Sequence, residues 1–211
     1  MGDTITFFIG ALVSLFIIIN PFSTASVFHV LSKGNSKKKN KSISRRAVII
    51  AIIVLIFFVF LGDLLLKTFS ISIEAFKIAS GILVLGVGYN MIYSGHSHFR
   101  NPEEKKHAEE KEDISIIPLA IPMLSGPGAI ATALVLMENA NGNPIFILSI
   151  IASIIIVCMI AYFLLVRAHV IDKYLGKTGI NVIDKLLGLI VLVMGIQFIL
   201  SGLGGVVPTW F

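Results

Sequence analysis

Six long apolar runs separated by short polar stretches dominate the chain, at about 5–31, 47–69, 73–95, 114–137, 144–166 and 182–206. A helix needs about 20 apolar residues to cross about 30 Å of hydrocarbon, so each run predicts a membrane-spanning helix. Two of the runs are interrupted. Asn20-Pro21-Phe22-Ser23-Thr24 divides the first, and Leu124-Ser125-Gly126-Pro127-Gly128-Ala129 divides the fourth 106 residues later. Proline removes an N–H and clashes with the turn before it, so each of these runs reads as two half-helices around opened backbone near the midplane. Hydrocarbon tolerates opened backbone only where it is packed against protein or lines a cavity. Paired interruptions at matching positions of two halves point to the substrate site of a secondary transporter.

The two halves are legible as internal repeats. Gly81, Gly88, Ser94 and Gly95 of the third run meet Gly188, Gly195, Ser201 and Gly202 of the sixth at a constant offset of 107. The division is residues 1–95 as a first three-helix repeat, 96–113 as a charged cytoplasmic linker, and 114–211 as a second three-helix repeat. Three spans per repeat force the second copy to enter the membrane from the opposite side. The expected fold is therefore all-α, six transmembrane helices in two inverted repeats, a layout that permits alternating access by rocking one half on the other.

Composition and charge agree with a membrane protein: 56% of residues are hydrophobic, 14% are charged, and the mean hydropathy is +0.94. No polar stretch is long enough for a separate soluble domain. Asp3 and the length of the first apolar run argue against a removable signal peptide. The single Cys158 excludes a disulfide within one chain. Fifteen of the seventeen basic residues fall in three regions, Lys33 to Arg46, Arg100 to Lys111 and Arg167 to Lys185, leaving Lys67 and Lys77 on the other side. The positive-inside rule then puts those regions in the cytoplasm and both termini outside. The same loops face anionic lipid, and no nucleic-acid partner is needed to explain the pI near 9.4. His96, His98 and His107 in the linker match no familiar metal-ligand spacing, so no metal and no cofactor is expected.

Chemistry is expected at the two interruptions. Helices beginning after Pro21 and Pro127 present free N–H groups and the positive end of a helix dipole, which suit an amino-acid carboxylate. The Asn20 side chain and the carbonyls before each proline suit an ammonium or a cation. Ser23, Thr24, Ser26, Ser125 and Thr132 add hydroxyls, and Gly126 and Gly128 permit close approach of a ligand to the backbone. The bland alternative is that the prolines are packing kinks and the hydroxyls bond back to their own helices. Asn90 and its repeat mate Gln197 either line the cavity or join helices. Asp63, read as the only carboxylate well inside a span, is a coupling candidate, although Lys67 stands four residues on. A membrane hydrolase would have only Ser125 and His29 to offer as nucleophile and base, with nothing to orient the base, so an enzyme is not expected.

Ile117-Pro118-Leu119-Ala120-Ile121-Pro122 running into Ser125-Gly126-Pro127-Gly128-Ala129-Ile130-Ala131-Thr132, the Asn20-Pro21 element, and Ser70-Ile71-Ser72-Ile73 leading to Ala79-Ser80-Gly81-Ile82 resemble the MarC family of membrane proteins. That family includes the SnatA-type carriers of small neutral amino acids, and the resemblance covers all six runs. It implies a multi-pass protein of a prokaryotic plasma membrane that transports glycine- or alanine-like substrates, coupled to a proton or sodium gradient. An exporter or pore for other small metabolites or drugs is the alternative. The sequence leaves the direction of transport and the oligomeric state open.

Overall fold

The computed structural model describes residues 2–32, 34–93 and 115–206. The linker 96–113 with its three histidines, and the repeat-matching Ser94 and Gly95, lie outside the described residues. Every element among the described residues is helical: α1 (Gly2–Ile19), α2 (Pro21–Leu31), α3 (Lys37–Thr68), α4 (Ile73–Tyr93), α5 (Ser115–Leu124), α6 (Pro127–Asn139), α7 (Pro144–Val166) and α8 (Ala168–Val206).

The prolines decide where helices stop. Pro21 cannot donate to the Ile17 carbonyl, and the chain leaves helical geometry at Asn20, which takes a left-handed conformation with φ 44°. Asparagine is among the few residues that tolerate it. α5 is a widely wound segment in which Ile117 and Ile121 are extended. Each precedes a proline, which drives its neighbour out of the helical region. As a result no helix in the fourth apolar run reaches membrane length. Among the described residues five helical stretches are long and apolar enough to cross: Gly2–Leu31, Lys37–Thr68, Ile73–Tyr93, Pro144–Val166 and Thr178–Val206.

Two further departures from the sequence reading have simple causes. α3 starts ten residues before its apolar run, because Ser36 caps the Lys39 amide at 3.2 Å and lysine and arginine are good helix formers outside hydrocarbon. The basic stretch before the sixth run, read as loop, is also helical. It bends at Gly176, whose φ of 58° few other residues adopt.

Packing is inside-out relative to a soluble protein. Large apolar side chains such as Ile53, Leu64, Leu186 and Val193 are exposed around the perimeter, where lipid would cover them, while small residues face inward. Ala47, Ala51, Leu55 and Val59 of α3 recur every fourth residue, as do Ser149, Ser153, Val157, Ala161 and Leu165 of α7, and all of them are buried. These two helices pack together. The Ser149 and Ser153 hydroxyls donate to carbonyls one turn back at 2.8 Å, so their polarity is spent within the helix.

The most extensive helix pair is α4 against α8. A methyl group on Gly81 would lie 2.6 Å from the Gly195 carbonyl oxygen, and one on Gly195 would lie 2.8 Å from that of Gly81. Gly88 and Gly188 face each other in the same way, at 2.9 and 3.1 Å. The helices run antiparallel, and adding 107 to one partner while subtracting it from the other converts the first pairing into the second. Some of the other packings show the same pattern: α1 and α2 pack on α7 as α5 and α6 pack on α3, and α2 packs on α8 as α6 packs on α4.

Candidate substrate and ion site

The two interruptions lie side by side. α1 packs on α6 and α2 on α5, and a methyl on Gly128 would meet Ile18 carbons at 3.1 and 3.2 Å and Val87 at 3.5 Å. The space that the sequence reading left for a ligand beside Gly128 is therefore taken by Ile18. Gly128 is where the two broken stretches touch.

At the first interruption the backbone is capped and charged. Asn20 is buried, its Oδ1 accepts from the Ser23 amide at 3.3 Å, and its Nδ2 donates to Asp184 Oδ1 at 2.7 Å. Thr24 is buried too, and its hydroxyl bonds back to the carbonyls of Asn20 at 3.2 Å and Ile19 at 3.4 Å. Pro21, Ser23 and Ser26 are buried around them. At the second interruption Gly126 is extended, with φ −71° and ψ 171°, and gives α6 no side-chain cap. Pro127 occupies the first helical position, where its missing N–H costs nothing. The Ser125 hydroxyl donates to the Ala120 carbonyl and that of Thr132 to Gly128, both at 2.9 Å. Ser125 and Thr132 thus brace the backbone, and the first amides of α6 start without a side-chain cap.

Three residues stand elsewhere. Asn90 and Gln197, read as lining the cavity or joining helices, are exposed on α4 and α8; Gln197 donates to Ser201 on its own helix at 3.4 Å. The glycines turn one face of each helix inward, and these two amides project from the other. Asp63 is exposed and paired with Lys67 at 2.6 Å, away from the interruptions. Ser125 and His29 are each engaged with other groups, His29 with Asp172 at 3.7 Å.

Asp184, 4% exposed, is the residue the sequence reading missed. It stands beside Lys185, two residues into the last apolar run. The signal was available in the helical period. Ile180, Asp184, Gly188, Val191 and Gly195 share one buried face, so the glycines that mark the contact also place Asp184 on it.

A polytopic helical protein with several helices long and apolar enough to cross a membrane is an integral membrane protein, and similarity to known proteins makes the family specific. The MarC family integral membrane protein model matches residues 5–207, and the chain belongs to that family. It is 35% identical to the UPF0056 membrane protein YvbG of Bacillus subtilis, over 96% of this chain and 97% of that one. It is similar to a UPF0056 membrane protein of Methanocaldococcus jannaschii at 35%, over 94% and 97% of the two chains. With YhcE of Escherichia coli it shares 33%, over 96% and 92%. No solved structure matches the chain.

Proposed function

We propose that this protein is a secondary transporter of small neutral amino acids, glycine or alanine first, working by alternating access between two inverted three-helix repeats in a prokaryotic plasma membrane. The observation that carries the reading is the packing of the two interrupted stretches on each other, α1 on α6 and α2 on α5, with a buried carboxylate held at the first. In this arrangement the substrate carboxylate goes to the uncapped start of α6, where amides and the helix dipole favour an anion. The start of α2 suits it less, because Asn20 caps that end and Asp184 already stands there. The ammonium group faces the carbonyl end of α1, where Pro21 leaves the Ile17 carbonyl without an amide. Small residues at both interruptions limit the side chain to hydrogen or methyl.

The reciprocal Gly81–Gly195 and Gly88–Gly188 pairings support the inverted layout, since a two-fold axis in the membrane plane requires such an exchange. The basic regions orient the chain with both termini outside. The decisive experiment is flux of radiolabelled glycine and alanine into proteoliposomes under imposed proton or sodium gradients. Accumulation above empty liposomes is expected. Flux no better than empty liposomes in either direction, from folded protein, rejects this substrate class in favour of an exporter or pore for other solutes.

A further inference from the structure

We infer that Asp184, with Asn20 and Asn181, forms the binding site of the monovalent cation, proton or sodium, that drives transport. The coupling role rests on the function proposed above; the chemistry rests on the site itself.

Asp184 lies within the Thr178–Val206 span and is almost fully buried. Among the side chains the structure describes, no lysine, arginine or histidine forms an ion pair with it. The elements packed on α8 bring Asp3 from α1, His29 from α2, Glu74, Lys77, Tyr89 and Tyr93 from α4, and Tyr162 from α7. His29 is held by Asp172 and Lys77 by Glu138, so neither neutralises Asp184. On α8 itself Lys185 is exposed. A carboxylate at this depth without a counter-charge is costly, and a bound cation removes the cost.

The surrounding atoms suit such an occupant. Asn20 donates to Oδ1 alone, leaving Oδ2 without a donor among the described residues. Asn181 stands three residues earlier on the same helix, and its Oδ1 is buried with no hydrogen-bond partner. Carboxylate and amide oxygens are what a hard cation takes as ligands. Asn20 supplies the link to transport, because one end of its amide caps α2 and the other holds Asp184.

The test compares wild type with Asp184→Asn, whose amide oxygen can still accept from Asn20, and with Asp63→Asn as an exposed-carboxylate control. The first readout needs no substrate. Purified wild type should gain thermal stability from sodium over choline at equal ionic strength, or else show a protonated-carboxyl infrared band that a pH step changes. Asp184→Asn should lose whichever response wild type shows, and Asp63→Asn should keep it. The arm that responds identifies the ion. The second readout is glycine flux: Asp184→Asn should lose gradient-driven accumulation about tenfold or more while labelled glycine still exchanges against unlabelled. Responses equal in wild type and Asp184→Asn overturn the site. Loss of exchange along with accumulation also overturns it, assigning Asp184 to the substrate's ammonium instead. Absence of wild-type glycine flux rejects the proposed substrate while leaving the cation readout to stand or fall alone.

Discussion

The two interrupted stretches solve the same backbone problem with different chemistry. At Asn20 a side chain caps the new helix, the residue itself takes the left-handed conformation, and a carboxylate from α8 completes the arrangement. At Gly126 the turn is extended, no side chain caps α6, and the approach is shaped by Ile117 and Ile121 ahead of their prolines. Similar proline positions thus produce one end with a fixed charge beside it and one end whose amides start without a side-chain cap. The difference begins with Asn20 at one turn and Gly126 at the other, and Asp184 adds a charge to the first alone.

The largest expected effect falls on what the halves share. Gly195→Leu would force a side chain against the backbone of Gly81 and Leu85, which cannot swing aside as the Leu85 side chain can, so destabilisation beyond about 4 kcal/mol is expected. Loss of monodisperse protein on size exclusion would show it. Near-normal yield would mean that the α4–α8 contact does not hold the halves together.

Asn20 is the next lever. Asn20→Ala removes the cap and the donor to Asp184, costing about 1–3 kcal/mol, and adds about 1–2 kcal/mol for a left-handed alanine. Asn20→Gly incurs only the first cost. Thermal unfolding of the two variants should therefore rank alanine below glycine, and equal values would show that the backbone conformation carries no strain. At the second interruption the contact is apolar. Gly128→Ala presses on the mobile end of Ile18 and should cost about 1 kcal/mol, with Gly128→Leu nearer 3. Restoring Gly128→Leu with Ile18→Ala would identify the pressure, and failure of that rescue would relocate it. Asp63→Asn should change stability by less than about 0.5 kcal/mol, since an exposed ion pair is worth little. A larger loss would return Asp63 to the list of coupling candidates.

The apolar runs and prolines made most of the helices legible, because hydrocarbon length and a missing N–H are properties of the sequence itself. What escaped depended on rotation and neighbours. Asn90 and Gln197 have the composition of cavity residues but the wrong helical phase, whereas Asp184 has the right phase and was passed over. The room beside Gly128 could not be judged without knowing that Ile18 fills it. The bend at Gly176 lay in a stretch whose charge suggested loop, yet charge outside hydrocarbon says little against a helix.

The glycine seam between α4 and α8 is the kind of surface a molecule can offer to its own duplicate. Each pairing is recovered by exchanging the halves, as in an isologous interface, where the same patch serves both partners. A three-span ancestor bearing this patch, inserted into the membrane in both orientations, would have matched itself without any second gene. Fusion of two such copies would then free each to change separately, and aspartate at position 184 against lysine at position 77, 107 residues earlier, is the kind of difference such freedom would allow.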